Sequence, residues 1–388
     1  MKIAYALTGY VPSTGGAQIH FHEIARRLSV TQEVRVFCHW KENRTDWLRG
    51  VTVRAPGDSE YVQDGVAVTQ FNLDPSDRRR LAFWAWGYYA AMGASVAHIA
   101  GAMEEKMDRL LGPVDLIHAG RMGREFLAWA ALRTARRRKI PFVFTPFHHP
   151  QWSGWRWRWY LKLYREADAL IALTRAEKEI LAGLGVARER IHVIGHAPVL
   201  GDVKQVPDYF GPGGPVVLFL GQKYAYKGVA QLLAAMPRVW ARRPDVRFAF
   251  LGPRTPYSEK LFKIISDPRV IEKDRVPEAD KQSALAQCAV FCLPSRQESF
   301  GSVFVEAWSF GKPVVGGNIP AAAELIEPGI NGSLVGETPE ELALALLTLL
   351  QDPDLARRFG AAGRQRVAEK YTWDAVLGAL SRVYRSIK

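Results

Sequence analysis

Short apolar runs alternate along this chain with segments whose apolar positions recur every three to four residues. The runs at 2–7, 34–38, 51–53, 115–120, 141–145 and 167–174 read as strands, as do 216–220, 247–251 and 289–294 further on. Helical spacing marks 17–29, where Ile19, Ile24, Ala25 and Leu28 share a face, then 81–111, 125–139, 160–166, 176–184, 229–242, 303–310 and 375–388. Strand and helix in alternation predict an α/β protein with doubly wound parallel sheets, whose binding residues lie at the strand C-termini. At 388 residues the chain is too long for one ordinary core, and the Gly- and Pro-rich stretch 198–215 reads as the linker between two domains. The expected division is 1–200 and 201–370.

One segment needs a decision. Residues 81–103 carry no charge and follow Arg78-Arg79-Arg80, as a membrane span would. Gly87, Gly93, Gly101, Ser95 and His98 interrupt them, however, and the helical period continues into the charged 104–111, so a buried domain helix is the expectation. The opening residues hold too short an apolar run for a signal peptide. Cys38, Cys288 and Cys292 form no disulfide framework or metal cluster and read as core, which suits a reducing, cytoplasmic compartment. The formal net charge of +13 favours an anionic partner: nucleotide phosphate, acidic lipid or nucleic acid. Nine of the twelve tryptophans lie at or before Trp159, so aromatic surface belongs to the first half.

The chemistry concentrates in Ser295-Arg296-Gln297-Glu298-Ser299-Phe300-Gly301-Ser302-Val303-Phe304-Val305-Glu306, between a strand-length run and a helix that stops at Gly311-Lys312-Pro313. Ser299, Phe300, Gly301 and Ser302 place free N–H groups at a helix N-terminus, where an anion binds readily. Taken alone, two glutamates at this spacing fit a capped helix with solvated side chains better than a site. In full context the stretch resembles the E-x7-E signature of retaining glycosyltransferases of the GT-B fold, family 4. The resemblance covers nearly the whole chain and is strongest over 216–335. It implies two Rossmann-like domains facing a cleft, the first on the acceptor side and the second holding a nucleotide sugar, with the helix at 371–388 crossing back to the first. It further implies that Glu298 touches the donor sugar, that Ser299 to Val303 hold sugar hydroxyls and phosphate, and that Glu306 binds the ribose.

Other segments gain meaning beside it. Gly15-Gly16 sits between a strand and a helix, in the layout of a phosphate-binding unit but without the dinucleotide spacing. In the resembled family this pair faces the donor phosphates and the acceptor, with His20 nearby. His148-His149 follows a strand without metal-ligand spacing, which suits hydrogen bonding or acid–base work. The resemblance puts a donor-contacting histidine here and leaves open which of the two it is, with a lean to His149, which directly precedes Pro150. The loop 221–228 carries Lys223 and Lys227, able to neutralise phosphate. Lys227 matches the family's diphosphate lysine, whereas Gln222 replaces its usual arginine, a loss for which Lys223 is expected to compensate in part. Arg254 is a further donor candidate, and the backbone around Val276 would read the base. The run from Trp152 through Trp155 and Arg156 to Tyr160 can stack sugars or bases or meet a headgroup layer, and reads as acceptor-side surface.

The resemblance implies a hexosyl transfer with retained configuration from a UDP- or GDP-sugar to a glycan, lipid-linked or small-molecule acceptor, in polysaccharide or glycoconjugate synthesis. The protein would be cytoplasmic, with a peripheral site at the acidic inner face of the membrane. No cofactor, no metal and no nucleic acid are expected; Asp352-Pro353-Asp354, the only Asp-x-Asp, reads as a helix-capping turn. A nucleotide-sugar epimerase of similar shape would not need the Glu298–Glu306 pattern. A basic, Trp-rich binding protein for membrane or nucleic acid would explain the charge but not the Glu, Gly-Gly and Lys loops.

Overall fold

In the computed structural model, residues 1–13, 15–41, 48 and 57–388 are described, without the side chains of 150 and 151. The expected strand at 51–53 lies outside the described residues. The rest divide into two units: 1–173 with 177–194 and 377–388, and 174–176 with 195–376. The division falls between Ile194 and Gly195, earlier than the 200/201 expected from composition.

The first unit is built on β1 (Lys2–Gly9), β2 (Glu33–Trp40), β3 (Ser59–Gln63), β4 (Val66–Gln70), β5 (Leu116–Gly120), β6 (Phe142–Thr145), β7 (Ala169–Ala172) and β8 (Ile191–Val193). Their order is β3-β4-β2-β1-β5-β6-β7-β8, parallel except for β3. The antiparallel β3–β4 hairpin turns at Asp64-Gly65, both with positive φ, the backbone such a two-residue turn requires. Around the sheet lie α1 (Gly16–Leu28), α2 (Pro75–Trp86), α3 (Met92–Leu110), α4 (Phe126–Arg138), α5 (Arg158–Glu166) and α6 (Arg175–Gly183). The single helix expected over 81–111 is thus two, broken at 87–91. Gly87 ends the first, and Ala91, at φ −130° and ψ 51°, starts the second from a non-helical backbone. Among the described residues no helix is long and apolar enough to cross a membrane.

The second unit holds β9 (Val216–Leu220), β10 (Arg247–Leu251), β11 (Val270–Lys273), β12 (Val290–Leu293), β13 (Val314–Gly317) and β14 (Gly332–Val335), all parallel in the order β11-β10-β9-β12-β13-β14. Its helices are α7 (Val229–Trp240), α8 (Pro256–Phe262), α9 (Glu278–Gln287), α10 (Ser302–Ser309), α11 (Pro320–Leu325), α12 (Pro339–Gln351) and α13 (Pro353–Lys370). Strands such as β9 and β12 are buried along their whole length, as a sheet covered on both faces demands. Cys288 and Cys292 are buried thiols there, and Cys38 lies in the core of the first unit, as expected. Asp352 caps α13, its carboxylate accepting from the Leu355 N–H at 2.9 Å, so the Asp-x-Asp is indeed a capping turn.

The last helix, α14 (Trp373–Ser386), starts in the second unit, while its residues from Leu377 onward belong to the first. Leu380, Val383 and Tyr384 are buried, contributing about 1.5–3 kcal/mol each. The Tyr384 hydroxyl lies 3.0 Å from that of Tyr5 on β1 and 2.6 Å from His118 Nδ1 on β5, and His118 Nε2 meets Thr145 Oγ1 at 2.8 Å. Burial pushes the His118 ring down to about 3, so it is neutral and the chain of four groups is satisfied internally.

Candidate active site

Both sheets reverse their winding direction once. In the first, β1 feeds β2 on one side and β5 lies on the other; in the second, β9 stands likewise between β10 and β12. Loops leaving neighbouring strands at such a point part to opposite faces and leave a crevice at the strand C-termini. Gly15 and Gly16 follow β1, Lys223 and Lys227 follow β9, and Glu298 to Gly301 follow β12, whereas His148 and His149 follow β6, Arg254 follows β10 and Val276 follows β11.

In the second unit, β9 leads into 221–228 and β12 into 294–301. Gly228 has φ +81°, and a Cβ there would sit 2.3 Å from the Pro294 carbonyl oxygen, so the two loops touch backbone to backbone. This approach brings Lys227 Nζ to Glu298 Oε1 at 2.6 Å, both side chains largely buried. Gly301, at φ +91°, supplies the left-handed residue from which α10 begins. Ser299 and Val303 flank it half-buried, Phe300 is buried, and no acidic side chain lies in the first turn of α10, a helix end whose dipole suits an anion.

Glu306 lies on the same helix and is buried. Lys281 of α9 reaches it at 3.5 Å while also bonding the Val199 carbonyl at 2.8 Å and Glu278 at 3.0 Å. Burial holds the Glu306 carboxyl above the ordinary range, and Lys281 opposes that shift. Lys281 and Glu278 were not among the sequence candidates. Their own three-residue spacing is legible, but the link to Glu306 is made only by folding. Val276 is half-buried in the loop before α9.

Lys223 does not join this group. It is fully buried, and its ammonium bonds the Gly252 and Lys273 carbonyls at 2.7 and 2.6 Å and the Glu272 carboxylate, which uses all three of its protons. The expected compensation for Gln222 therefore has no support in this placement. Arg254 forks onto the same Glu272, with Nε at 3.0 and 3.1 Å and Nη2 at 2.5 Å. Burial alone would raise Glu272, yet hydrogen bonds from Arg254 and Lys223 hold it below the ordinary carboxylate range.

In the first unit, Gly15 and Gly16 open α1, and His20 is buried on it, edge-on to Phe147 with ring centres 5.4 Å apart. Phe147 has φ +44°, a left-handed conformation uncommon for a bulky residue, directly before His148. His148 is buried: its backbone N–H donates to Glu177 at 2.6 Å, Nδ1 lies 3.3 Å from Arg121 Nη1 and 3.5 Å from the Tyr164 hydroxyl, and Nε2 lies 3.1 Å from Ser153 Oγ. Burial and the Arg121 charge push the ring down to about 4. His149 is half-buried, edge-on to Trp152 at 4.5 Å. Glu177 also accepts the Leu173 N–H at 2.7 Å, and burial pushes it up to about 7. Arg121 and Glu177 escaped the sequence reading, although Arg121 directly follows β5, where a parallel sheet presents binding residues.

Trp152 faces inward against the Arg121 guanidinium at 4.4 Å. Trp155 and Arg156 face outward: Trp155 stacks on Tyr89 with centroids 6.3 Å apart, the Arg156 guanidinium lies 5.7 Å from the Tyr89 ring, and Arg158 covers Trp155 at 4.3 Å. Among the described residues no group of three or more His, Cys, Asp or Glu is placed to hold a metal ion.

Residues 15–197 match the family model described as glycosyl transferase 4-like domain, and residues 208–366 match that of glycosyl transferases group 1. A phosphatidyl-myo-inositol mannosyltransferase of Mycolicibacterium smegmatis is 34% identical over 179 residues, 45% of this chain and 46% of that protein. A GDP-mannose-dependent alpha-(1-6)-phosphatidylinositol monomannoside mannosyltransferase of the same organism is 32% identical over 171 residues, 41% of this chain and 44% of that one. The chain thus spans about half the length of the curated relatives it matches. The crystal structure of Anabaena HepE in complex with UDP and glucose covers 100% of both chains with a TM-score of 0.74 at 18% identity, a likeness of fold.

Proposed function

Because the chain belongs to the group 1 glycosyltransferases of the GT-B fold, we propose that it transfers a hexosyl group from a nucleoside-diphosphate sugar with retention of anomeric configuration. The observation that carries this reading is the pairing of Lys227 with Glu298 at the amide end of α10, with buried Glu306 on the same helix. Lys227 supplies one positive charge and the α10 N-terminus a dipole, which together meet the charge of a diphosphate without a metal ion. On donor binding Lys227 exchanges Glu298 for phosphate, and the released carboxylate accepts from sugar hydroxyls. Glu306, held by Lys281, accepts from ribose. Glu298 then binds the sugar and does not attack it, and the diphosphate leaves from the face on which the acceptor enters. The nucleotide is UDP or GDP; the GDP-mannose-dependent relative favours GDP.

The acceptor is proposed to be a lipid-linked glycan or polysaccharide precursor, met at an acidic membrane surface. In support, Phe83, Trp86, Tyr89 and Trp155 are exposed, and Arg156 and Arg158 lie against the last two. Such aromatic and basic side chains suit a headgroup layer.

The test is thermal stability against UDP-, GDP-, ADP- and dTDP-sugars, with EDTA present, for wild type, Lys227→Met and Glu306→Ala. A ligand at 100 times its Kd stabilises the native state by about 2.7 kcal/mol. One nucleotide is expected to raise the melting temperature of wild type and to do so far less in either variant. No shift with any nucleotide at millimolar concentration would remove the donor reading.

A further inference from the structure

Arg121 is a buried cation in an unusual setting. Its guanidinium carbon lies 4.4 Å from the Trp152 ring centre, 4.6 Å from Tyr160, 4.9 Å from Trp157 and 6.0 Å from Tyr164. The backbone N–H of Arg121 bonds the Thr145 carbonyl at 3.0 Å, tying the residue to the end of β6. Nη1 bonds the Tyr164 hydroxyl at 2.5 Å and His148 Nδ1 at 3.3 Å, while Nη2 is shielded from solvent and has no hydrogen-bond partner among the described residues. Keeping a charge in such a box is expensive, and the hydrogen bonds that the guanidinium makes there run to the Tyr164 hydroxyl and His148.

The chemistry of that contact decides the state of the imidazole. A guanidinium has donors and no acceptor, so His148 Nδ1 must accept. The Tyr164 hydroxyl gives its own oxygen to Arg121, and its proton remains free to point at the same Nδ1. With Nδ1 accepting, a neutral ring carries its proton on Nε2, and the Ser153 hydroxyl at 3.1 Å accepts it. The titratable or charged neighbours are Arg121 after β5, Tyr164 on α5, Glu177 on α6 at the His148 backbone, and His149 in the same loop.

We propose that Arg121 is a positioning residue that fixes His148 as the neutral Nε2–H tautomer, so that the ring works as a hydrogen-bond donor, with Ser153 occupying that donor until a substrate oxygen replaces it. Glu177 fixes the backbone of the same residue, and Arg121 fixes its ring. His148 is thereby excluded as a general base at neutral pH, because one nitrogen already holds a proton and the other faces a cation. What replaces Ser153, a sugar hydroxyl oxygen, rests on the proposed function; the tautomer does not.

The experiment is a long-range proton–nitrogen correlation spectrum of the full chain with 15N-labelled histidine, the His148 signals assigned by their loss in His148→Gln. Wild type is expected to show His148 as a single Nε2–H tautomer that stays neutral to pH 5. Arg121→Met should give mixed tautomers and a ring that titrates higher than in wild type yet still below the ordinary histidine value, because burial remains, and Arg121→Lys should restore the single tautomer. An Nδ1–H tautomer or titration near 6.5 in wild type overturns the proposal, as does an unchanged spectrum in Arg121→Met. Should Arg121→Met fail to fold, the wild-type tautomer and its pH titration still decide. With a donor from the nucleotide panel, Arg121→Met is expected to lower kcat about 10- to 100-fold with little change in KM for the donor. A silent panel beside the expected spectrum removes the donor reading alone.

Discussion

Tyr384→Phe deletes one oxygen from α14 and tests whether the hydroxyl chain beneath that helix holds it in place. The hydroxyl sits between Tyr5, 3.0 Å away, and His118 Nδ1, 2.6 Å away, and all three side chains are buried. Two hydrogen bonds vanish, and both remaining partners are stranded where water does not reach. A buried polar group left unpaired costs about 1–3 kcal/mol, so the loss should be about 2–4 kcal/mol. Spread over a unit of about 200 residues, that lowers Tm by roughly 5–15 °C. Tyr5→Phe removes only the outer hydroxyl and leaves Tyr384 bonded to His118, so it should cost about 1 kcal/mol. The double variant strands only His118 and should cost less than the sum of the two. Calorimetry and urea unfolding of the four proteins provide the readout. If Tyr384→Phe costs no more than Tyr5→Phe, or if the two effects add, the hydroxyl chain is not what secures α14.

Two further outcomes are expected. Glu177 has its carboxyl pushed up to about 7, so the native state keeps a proton that the unfolded chain gives up above its ordinary value near 4.5. The resulting stability is fully present below pH 4.5 and lost as pH rises through 7, at about 1.4 kcal/mol per pH unit. Relative to Glu177→Gln, wild type should therefore weaken between pH 4.5 and 7 in urea unfolding, and a pH-independent difference would refute the assignment. Asp352→Ala removes the cap of α13 and should cost about 1 kcal/mol in the same assay, while a loss below the measurement error would show that the cap carries no stability.

Much of the fold and part of the site are legible in the sequence because they depend on local order. The βα units follow from the apolar runs, and Glu298 and Glu306 share a loop and its helix, so their spacing can be read directly. Lys227 sits in a strand-to-helix loop and likewise lands at the site. Lys223, four residues earlier, goes the other way, since its side chain turns under the loop to Glu272, 49 residues along the chain, and spacing cannot distinguish the two. Arg121, His148 and Glu177 meet because three different strands end side by side, and no local pattern records that. The break at 87–91 falls at Gly87, and nothing local distinguishes that glycine from Gly93 and Gly101, which stay helical. The Asp64-Gly65 hairpin does carry a readable turn signal, which a search for parallel βα units passes over.

The first unit contains residues 377–388, and this has a consequence for synthesis. A ribosome releases residues 1–194 long before those twelve. At about 5–20 residues per second the roughly 180 intervening residues occupy on the order of 10–40 s. Throughout that interval the growing chain holds an eight-stranded sheet whose Tyr5 and His118 lack their common partner and whose apolar face awaits Leu380 and Val383. The unit made first is the last to be finished. A stop codon or a protease cut just after Val376 would leave the second unit entire and the first one short of its final contacts.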